Sequence, residues 1–302
     1  MKVVSIINFK GGVGKTTLTT NLGAYAASVG KRVLLIDIDP QTNLTFSFIA
    51  QEDWREKYSD KKTISNFFEA VQRREEVLPA LSDLIISNVN GSKVDLLSSH
   101  MKLINSDLKL ASLLAGNDGI SLAANYMHGV SFLSKALSKL GKYDIVLIDC
   151  PPSFNLMVKN AIYASTYYIV PTKLDYLSTM GVDYLVDTLK KYEEECNGHI
   201  AQLNRQGYKQ LSLNMLGVVP MMVTIRNNQP EKAQLKYLKK LQEEYYMFQW
   251  VRNNNEVFGT ELFDKKGNIV PSILSRIIQR SDRKLIKHEL DLLCEDFLKK
   301  LK

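Results

Sequence analysis

V-V-S-I-I-N-F-K-G-G-V-G-K-T-T, residues Val3 to Thr17, is the stretch that decides the fold. Its first five residues, Val3 to Ile7, are β-branched and apolar apart from one serine, the composition of a buried strand. Gly11, Gly12 and Gly14 then predict a tight loop, because glycine reaches backbone conformations closed to other residues. After Lys15, Thr16 and Thr17, apolar residues recur at helical spacing: Leu18, Leu22, Tyr25, Ala26 and Val29. Gly30 is placed to end that helix. Strand, glycine loop and helix form the setting in which backbone N–H groups converge on a phosphate. In such a loop Lys15 reaches the β and γ phosphates, and the Thr16 hydroxyl holds Mg²⁺.

The loop departs from the usual phosphate-loop pattern in an informative way. That pattern has glycine five residues before Gly14, where this chain carries Phe9; Lys10 follows, directly ahead of Gly11 and Gly12. K-G-G-V-G-K-T-T is the deviant Walker A motif, and through it the chain resembles the ParA/MinD family of nucleotide-switch ATPases, most of all the ParA partition ATPases. The resemblance implies ATP and Mg²⁺ as cofactors, with Lys10, Gly11, Gly12, Val13, Gly14, Lys15, Thr16 and Thr17 around the phosphates. It also implies a homodimer sandwiching two ATP molecules, in which Lys10 reaches the partner's nucleotide. A cation there meets the negative charge that gathers in the transition state.

Two apolar runs end in a carboxylate: Val33 to Asp37 and Tyr143 to Asp149. Such strands place their last residue at the carboxyl edge of a parallel sheet, where ligands bind. Asp149 fits the Walker B position and is expected to hold Mg²⁺. D-I-D-P-Q, Asp37 to Gln41, resembles the family's switch I; there Asp37 lies near the metal and Asp39 orients the attacking water. Cys150-Pro-Pro-Ser-Phe154 resembles switch II, with Cys150 read as a small buried filler rather than a nucleophile. Val219-Pro220-Met221-Met222 resembles the segment along adenine, with Met221 where relatives carry threonine.

At 302 residues the chain is long enough for a large core, and no apolar run approaches the ~20 residues of a membrane span. The three cysteines, Cys150, Cys196 and Cys294, are scattered, which indicates neither a zinc site nor a disulfide framework and suits a reducing cytoplasm. Val3 starts the first strand, so we expect no removable signal and no separate N-terminal DNA-binding domain. Further strands are expected at Val94 to Ser98, Tyr167 to Val170 and Leu216 to Val219, the last two stopped by Pro171 and Pro220. Helices are expected at Ile64 to Val71, Leu103 to Ala115, Val130 to Leu140, Val182 to Glu195, Pro230 to Tyr246 and Ser281 to Leu301. The helix from Pro230 is capped by Asn228 or Gln229. This alternation predicts an α/β fold: a doubly wound, mostly parallel sheet with helices on both faces, in one domain over residues 1–302.

Charge is unevenly spread. Residues 1–200 hold 21 Lys+Arg against 21 Asp+Glu, whereas residues 201–302 hold 18 against 11. The excess marks either a surface for an anionic partner or a solvated basic face. On the helix from Pro230, Lys232, Lys236, Lys239 and Lys240 share one side, opposite Leu235, Leu238, Leu241 and Tyr245. Arg252, Arg280, Arg283, Lys284 and Lys287 follow. ParA-like proteins hold double-stranded DNA without sequence preference through such a C-terminal region, here about 226–302, and release it when a ParB-like adaptor stimulates slow hydrolysis. The resemblance therefore implies a nucleoid-associated cytoplasmic ATPase that moves a plasmid or chromosome. Two rival readings are a MinD-like membrane-bound positioning switch and an ATPase of small-molecule synthesis or electron transfer. The last helix has a MinD-like apolar stripe (Ile286, Leu290, Leu293, Phe297, Leu301), but Glu289, Asp291, Glu295 and Asp296 on its polar side oppose anionic lipid. Packing on the sheet is the better reading, and no stable membrane association is expected.

Overall fold

A computed structural model of the chain describes residues 1–73, 75, 78–106, 118–204, 207–227, 229–253 and 281–301, with the side chains of 281–285 excepted. Six parallel strands form one sheet: β1 (Lys2–Ile6), β2 (Val33–Asp37), β3 (Val94–Leu97), β4 (Ile145–Asp149), β5 (Tyr167–Thr172) and β6 (Asn214–Pro220). Their spatial order is β3-β2-β4-β1-β5-β6. The central strands β2 and β4 are buried along their whole length, which explains their unbroken apolar runs. Successive residues serve opposite faces: Leu34, Ile36, Val146 and Ile148 enter one core, and Val33, Leu35, Ile145 and Leu147 the other.

Ten helices are described from end to end: α1 (Lys15–Ser28), α2 (Asn43–Phe46), α3 (Gln51–Lys57), α4 (Ile64–Gln72), α5 (Leu81–Leu84), α6 (Gly119–Leu137), α7 (Leu156–Ala164), α8 (Tyr176–Gln202), α9 (Lys232–Glu244) and α10 (Ser281–Lys300). One core contains residues of α4 and α6 to α9; the other contains residues of α1, α2, α3 and α10. The apolar stripe of α10, Ile286, Leu290, Leu293 and Phe297 with Leu301 beyond, is buried, and α10 lies against α1. Each such side chain contributes about 1.5–3 kcal/mol of burial. The stripe is therefore core, as its acidic flank suggested. Among the described residues no helix is long and apolar enough to cross a membrane.

Several expected boundaries shift. Pro171 does not stop its strand but lies within β5, which runs on to Thr172, whereas Pro220 is the last residue of β6. The Pro171 carbonyl points to the side β1 has left, where it accepts from Asn8 Nδ2 at 2.9 Å, so the missing N–H breaks no ladder bond. α6 starts at Gly119, eleven residues ahead of Val130, because Asp118 caps it through the Ile120 and Ser121 amides. α8 starts at Tyr176, six residues ahead of Val182, with Asp175 as its cap. Pro230 belongs to a small hairpin, β7 (Ile225–Arg226) with β8 (Gln229–Pro230), and α9 begins only at Lys232. The cap position of α9 is Glu231, with no side-chain cap bond, rather than Asn228 or Gln229, since Gln229 is taken up by β8. Residues 103–106 are helical, and the rest of the expected Leu103 to Ala115 helix lies outside the described residues, as does Asn228.

The segment Tyr246–Asn253 runs beside β6. Val218 N–H donates to Tyr246 O at 2.8 Å, Phe248 N–H to Val218 O at 2.9 Å and Val251 N–H to Pro220 O at 2.8 Å. Gly217 has φ 149°, and a Cβ there would sit 2.5 Å from Tyr246 O. Only glycine admits that approach.

Candidate nucleotide site

β1 and β2 flank β4, with Ile6 and Asp37 both in register with Asp149. Three central strands thus end together at the carboxyl edge. Gly12 (φ 67°) and Gly14 (φ 91°) take the left-handed conformation and turn the chain from β1 into α1. Gly14 is the N-cap of α1; no side chain caps the helix and its first turn has no acidic residue. The first-turn N–H groups of α1 therefore converge where a phosphate is stabilised by both hydrogen bonds and the helix dipole. Val13 is buried and anchors the loop.

Lys15 is 7% exposed, and its ammonium donates to Asn8 O at 3.0 Å and Lys10 O at 3.1 Å, inside the loop. Burial lowers its pKa, against the nearby Asp149, Cys150 and Asp39. Thr16 Oγ1 donates to Asp149 Oδ2 at 2.7 Å and Thr19 Oγ1 to Asp149 Oδ1 at 3.1 Å. Burial raises Asp149 to a pKa of about 7; the two hydroxyls and Lys15 pull it down, and Asp39 adds to the rise. A hydroxyl and a carboxylate in contact at the phosphate loop fit Mg²⁺, which takes oxygen ligands and few of them from protein. Asp37 is fully buried, and its pKa is raised well above the ordinary range by burial and by Asp149.

Asp37 is also the hub of the following loop. Its Oδ1 accepts from the Asp39 amide at 3.1 Å; its Oδ2 accepts from the Thr45 amide at 2.8 Å and the Thr45 hydroxyl at 2.7 Å. Asp39 is 8% exposed, and its Oδ1 accepts from the Gln41 amide at 2.9 Å. Cys150 is buried, and burial holds its thiol far above the ordinary range, so it stays a neutral filler. Behind it, the Phe154 ring meets Phe9 at 5.6 Å and Tyr192 at 5.5 Å between centroids.

Lys10 is held by its own chain. Its ammonium donates to both Asp175 oxygens at 3.1 Å and to Ser178 Oγ at 2.8 Å. Asp175 also caps α8 through the Ser178 amide. Burial acts to raise Asp175, but the Ser178 bonds and the Lys10 ammonium hold it below the usual carboxylate range. Nothing in the loop sequence pointed to Asp175, Ser178 or Thr19. The signals were local: Asp175 and Ser178 stand three apart in a capping pattern after β5, and Thr19 follows Thr16 by one helical turn.

Pro220, Met221 and Met222 lie at the same sheet edge, past the register pair Thr172–Pro220. The Met221 side chain is 1% exposed and fills the core, and Met222 has φ 56°. The Met221 side chain is thus turned into the core, while Met222 is partly exposed. On α9, Lys232, Lys236, Lys239 and Lys240 are all exposed, with Lys240 3.9 Å from Asp183. Arg252 instead turns onto Glu289, with bonds of 2.8 and 2.7 Å, and Lys287 pairs with Asp291. Arg280 and the side chains of Arg283 and Lys284 lie outside the described residues.

An uncapped glycine-loop helix, a buried lysine and a strand-end aspartate define a P-loop ATPase. A family model described as an AAA domain (AAA_31) matches residues 1–202. Sporulation initiation inhibitor protein Soj of Bacillus subtilis is 30% identical over 197 residues, 65% of this chain and 68% of Soj. Curated relatives of 30–33% identity match along 65% of the chain, which spans 54–68% of their length. An ATP complex of a McdA variant from Cyanothece superposes with TM-score 0.70 at 19% identity, over 100% of this chain and 96% of that one. A putative plasmid partition protein from Borrelia burgdorferi, bound to AMPPNP, superposes with TM-score 0.65 at 23% identity over 99% of each chain. The chain belongs to the ParA/MinD family of P-loop ATPases, and the two structures share its fold.

Proposed function

We propose that the chain is an ATP-dependent partition or positioning ATPase that binds DNA as a nucleotide-closed dimer. The observation that carries this is the contact of Thr16 with Asp149 at the open mouth of α1, with Lys15 buried beneath and a second lysine, Lys10, beside it. A plasmid partition protein from Borrelia burgdorferi shares the fold, and a Treponema pallidum relative at 28% identity is named chromosome-partitioning ATPase Soj. These likenesses support a cargo-moving role.

The loop amides and Lys15 bind the β and γ phosphates, and Gly11, Gly12 and Gly14 let the backbone close on them. Thr16 and Asp149 would hold Mg²⁺, which would neutralise phosphate charge, with Asp37 buried beside Asp149 at the metal side of the site. Asp39 aims a water at the γ phosphate from a loop that is already ordered. Lys10 leaves Asp175 and crosses to the partner's phosphates when two chains close. The start of α8 supports such closure: beside Asp175, Tyr176 and Leu177 are 61% and 69% exposed, and Met180 and Tyr184 follow on the same helix at 47% and 68%. An exposed apolar cluster of this kind marks an association surface.

DNA meets the exposed lysines of α9 through its phosphates, which fits binding without sequence preference. We leave Arg252 out of that face, since Glu289 occupies its guanidinium. Hydrolysis, stimulated by an adaptor protein, opens the dimer and frees the DNA. The whole chain forms one ATPase domain in this reading, acting in the cytoplasm at the nucleoid. The test is DNA retention with ATP and Mg²⁺, with ADP and Mg²⁺, and without nucleotide. Retention is expected only with ATP; equal retention in all three states refutes the switch.

A further inference from the structure

The carboxyl end of β3, an edge strand that carries no part of the phosphate loop, reaches into the loop that holds Asp39. Ser99 Oγ donates to Asp39 O at 2.7 Å, and the Ser99 amide donates to Thr45 Oγ1 at 2.9 Å. The Thr45 hydroxyl in turn donates to Asp37 Oδ2 at 2.7 Å. Ser99, Thr45 and Asp37 are all fully buried. The Asp39 carbonyl also accepts from the Thr42 amide at 2.9 Å. Asp39 is thereby held at its amide by Asp37, at its carbonyl by Ser99 and Thr42, and at its carboxylate by Gln41. One residue earlier, Ser98 Oγ donates to Lys62 O at 2.6 Å, and Ser98 O accepts from the Ile64 amide at 2.8 Å, so the strand end is itself pinned to the start of α4.

We propose that Ser99, acting with Thr45, is a positioning residue that fixes the Asp39 backbone in its hydrolytic geometry before nucleotide arrives. This rests on the ATPase reading above and adds to it the residues that order switch I. The physical reason is a dry, fully satisfied network. Inside protein, each of these bonds is stronger than in water, and removing one leaves a buried partner unpaired. A misplacement of even an ångström at a water-orienting carboxylate slows chemistry far more than it weakens binding.

Three variants separate positioning from packing. Ser99→Ala removes only the hydroxyl on the Asp39 carbonyl. Thr45→Val keeps the side-chain shape and removes the hydroxyl, whereas Thr45→Ser keeps the hydroxyl and removes the methyl. Two readouts are taken: amide hydrogen exchange of residues 39–45 without nucleotide, and kcat and KM for ATP. Ser99→Ala and Thr45→Val are expected to speed exchange at the Asp39, Gln41, Thr42 and Thr45 amides and to lower kcat about 3- to 10-fold, with KM within about twofold. Thr45→Ser is expected to stay within about twofold of the parent in kcat and KM and to match its exchange. If Thr45→Ser is impaired and Thr45→Val is not, the contact is packing and the proposal falls. If Ser99→Ala matches a parent that does hydrolyse ATP, in both kcat and exchange, the proposal falls while the ATPase reading stands. Should the parent itself hydrolyse no ATP, the ATPase reading fails and the hydrolytic role of Ser99 with it.

Discussion

Asp149 is the residue on which charge, metal and stability meet. Its pKa rises in the folded chain to about 7 from an ordinary 3.8, with burial the main cause. A raised acid binds its proton more tightly when folded, so its contribution to stability is full below about pH 4 and is lost as pH climbs to about 7. In the proposed site, Mg²⁺ would compete with that proton. Magnesium affinity of the nucleotide-loaded protein is therefore expected to rise about tenfold between pH 6 and pH 8 and to flatten above, a dependence that titration calorimetry at each pH measures. A flat profile contradicts the role of Asp149. Lys10 gives a second prediction at this scale. Lys10→Ala is expected to keep ATP uptake within about threefold and to lose the ATP-dependent dimer in sedimentation, because the proposed function gives Lys15 the phosphates of its own chain and Lys10 those of the other. Parent-like dimerisation of Lys10→Ala refutes that division of labour.

At the scale of elements, the strands that build the site were legible and their neighbours less so. β2 and β4 read directly from V-L-L-I-D and I-V-L-I-D because both faces are buried and no alternation interrupts them. That Lys10, Asp37, Asp39 and Asp149 gather at the carboxyl edge of the sheet was expected from motif and strand end alone, and the structure brings Asp37 and Asp149 into register there. The start of α8 was not, because Tyr176, Leu177 and Met180 point outward and obscure the amphipathic period. Nor was the Lys10–Asp175 contact, which joins residues 165 apart in sequence. Strand order carries no local signal, so neither Ser99 beside Asp39 nor Tyr246–Asn253 beside β6 could be read from spacing. Gly217 tests that last pairing. Gly217→Ala places a Cβ 2.5 Å from the Tyr246 carbonyl and strains φ 149°, so the chain is expected to lose about 1–3 kcal/mol in urea unfolding. An unchanged midpoint contradicts the close approach.

For the whole molecule, the proposed function places three tasks in three regions. The candidate nucleotide site lies at the carboxyl edge of the central strands, an exposed apolar cluster opens α8 beside Lys10, and exposed lysines line α9. The α10 stripe is consumed by packing on α1, which removes from the surface the feature a membrane-bound switch would use. If the α9 lysines meet DNA phosphates, replacing Lys232, Lys236 and Lys239 together by alanine is expected to lower the salt slope of ATP-dependent DNA binding by about 3, with ATP uptake unchanged. An unaltered slope moves the DNA surface elsewhere. All of this depends on a nucleoside triphosphate entering the loop between β1 and α1. Calorimetric titration of ATP at millimolar magnesium measures that entry most directly: the account predicts saturable uptake of one nucleotide per chain, abolished by Lys15→Ala. Absence of binding heat for the parent, or equal uptake by Lys15→Ala, contradicts it.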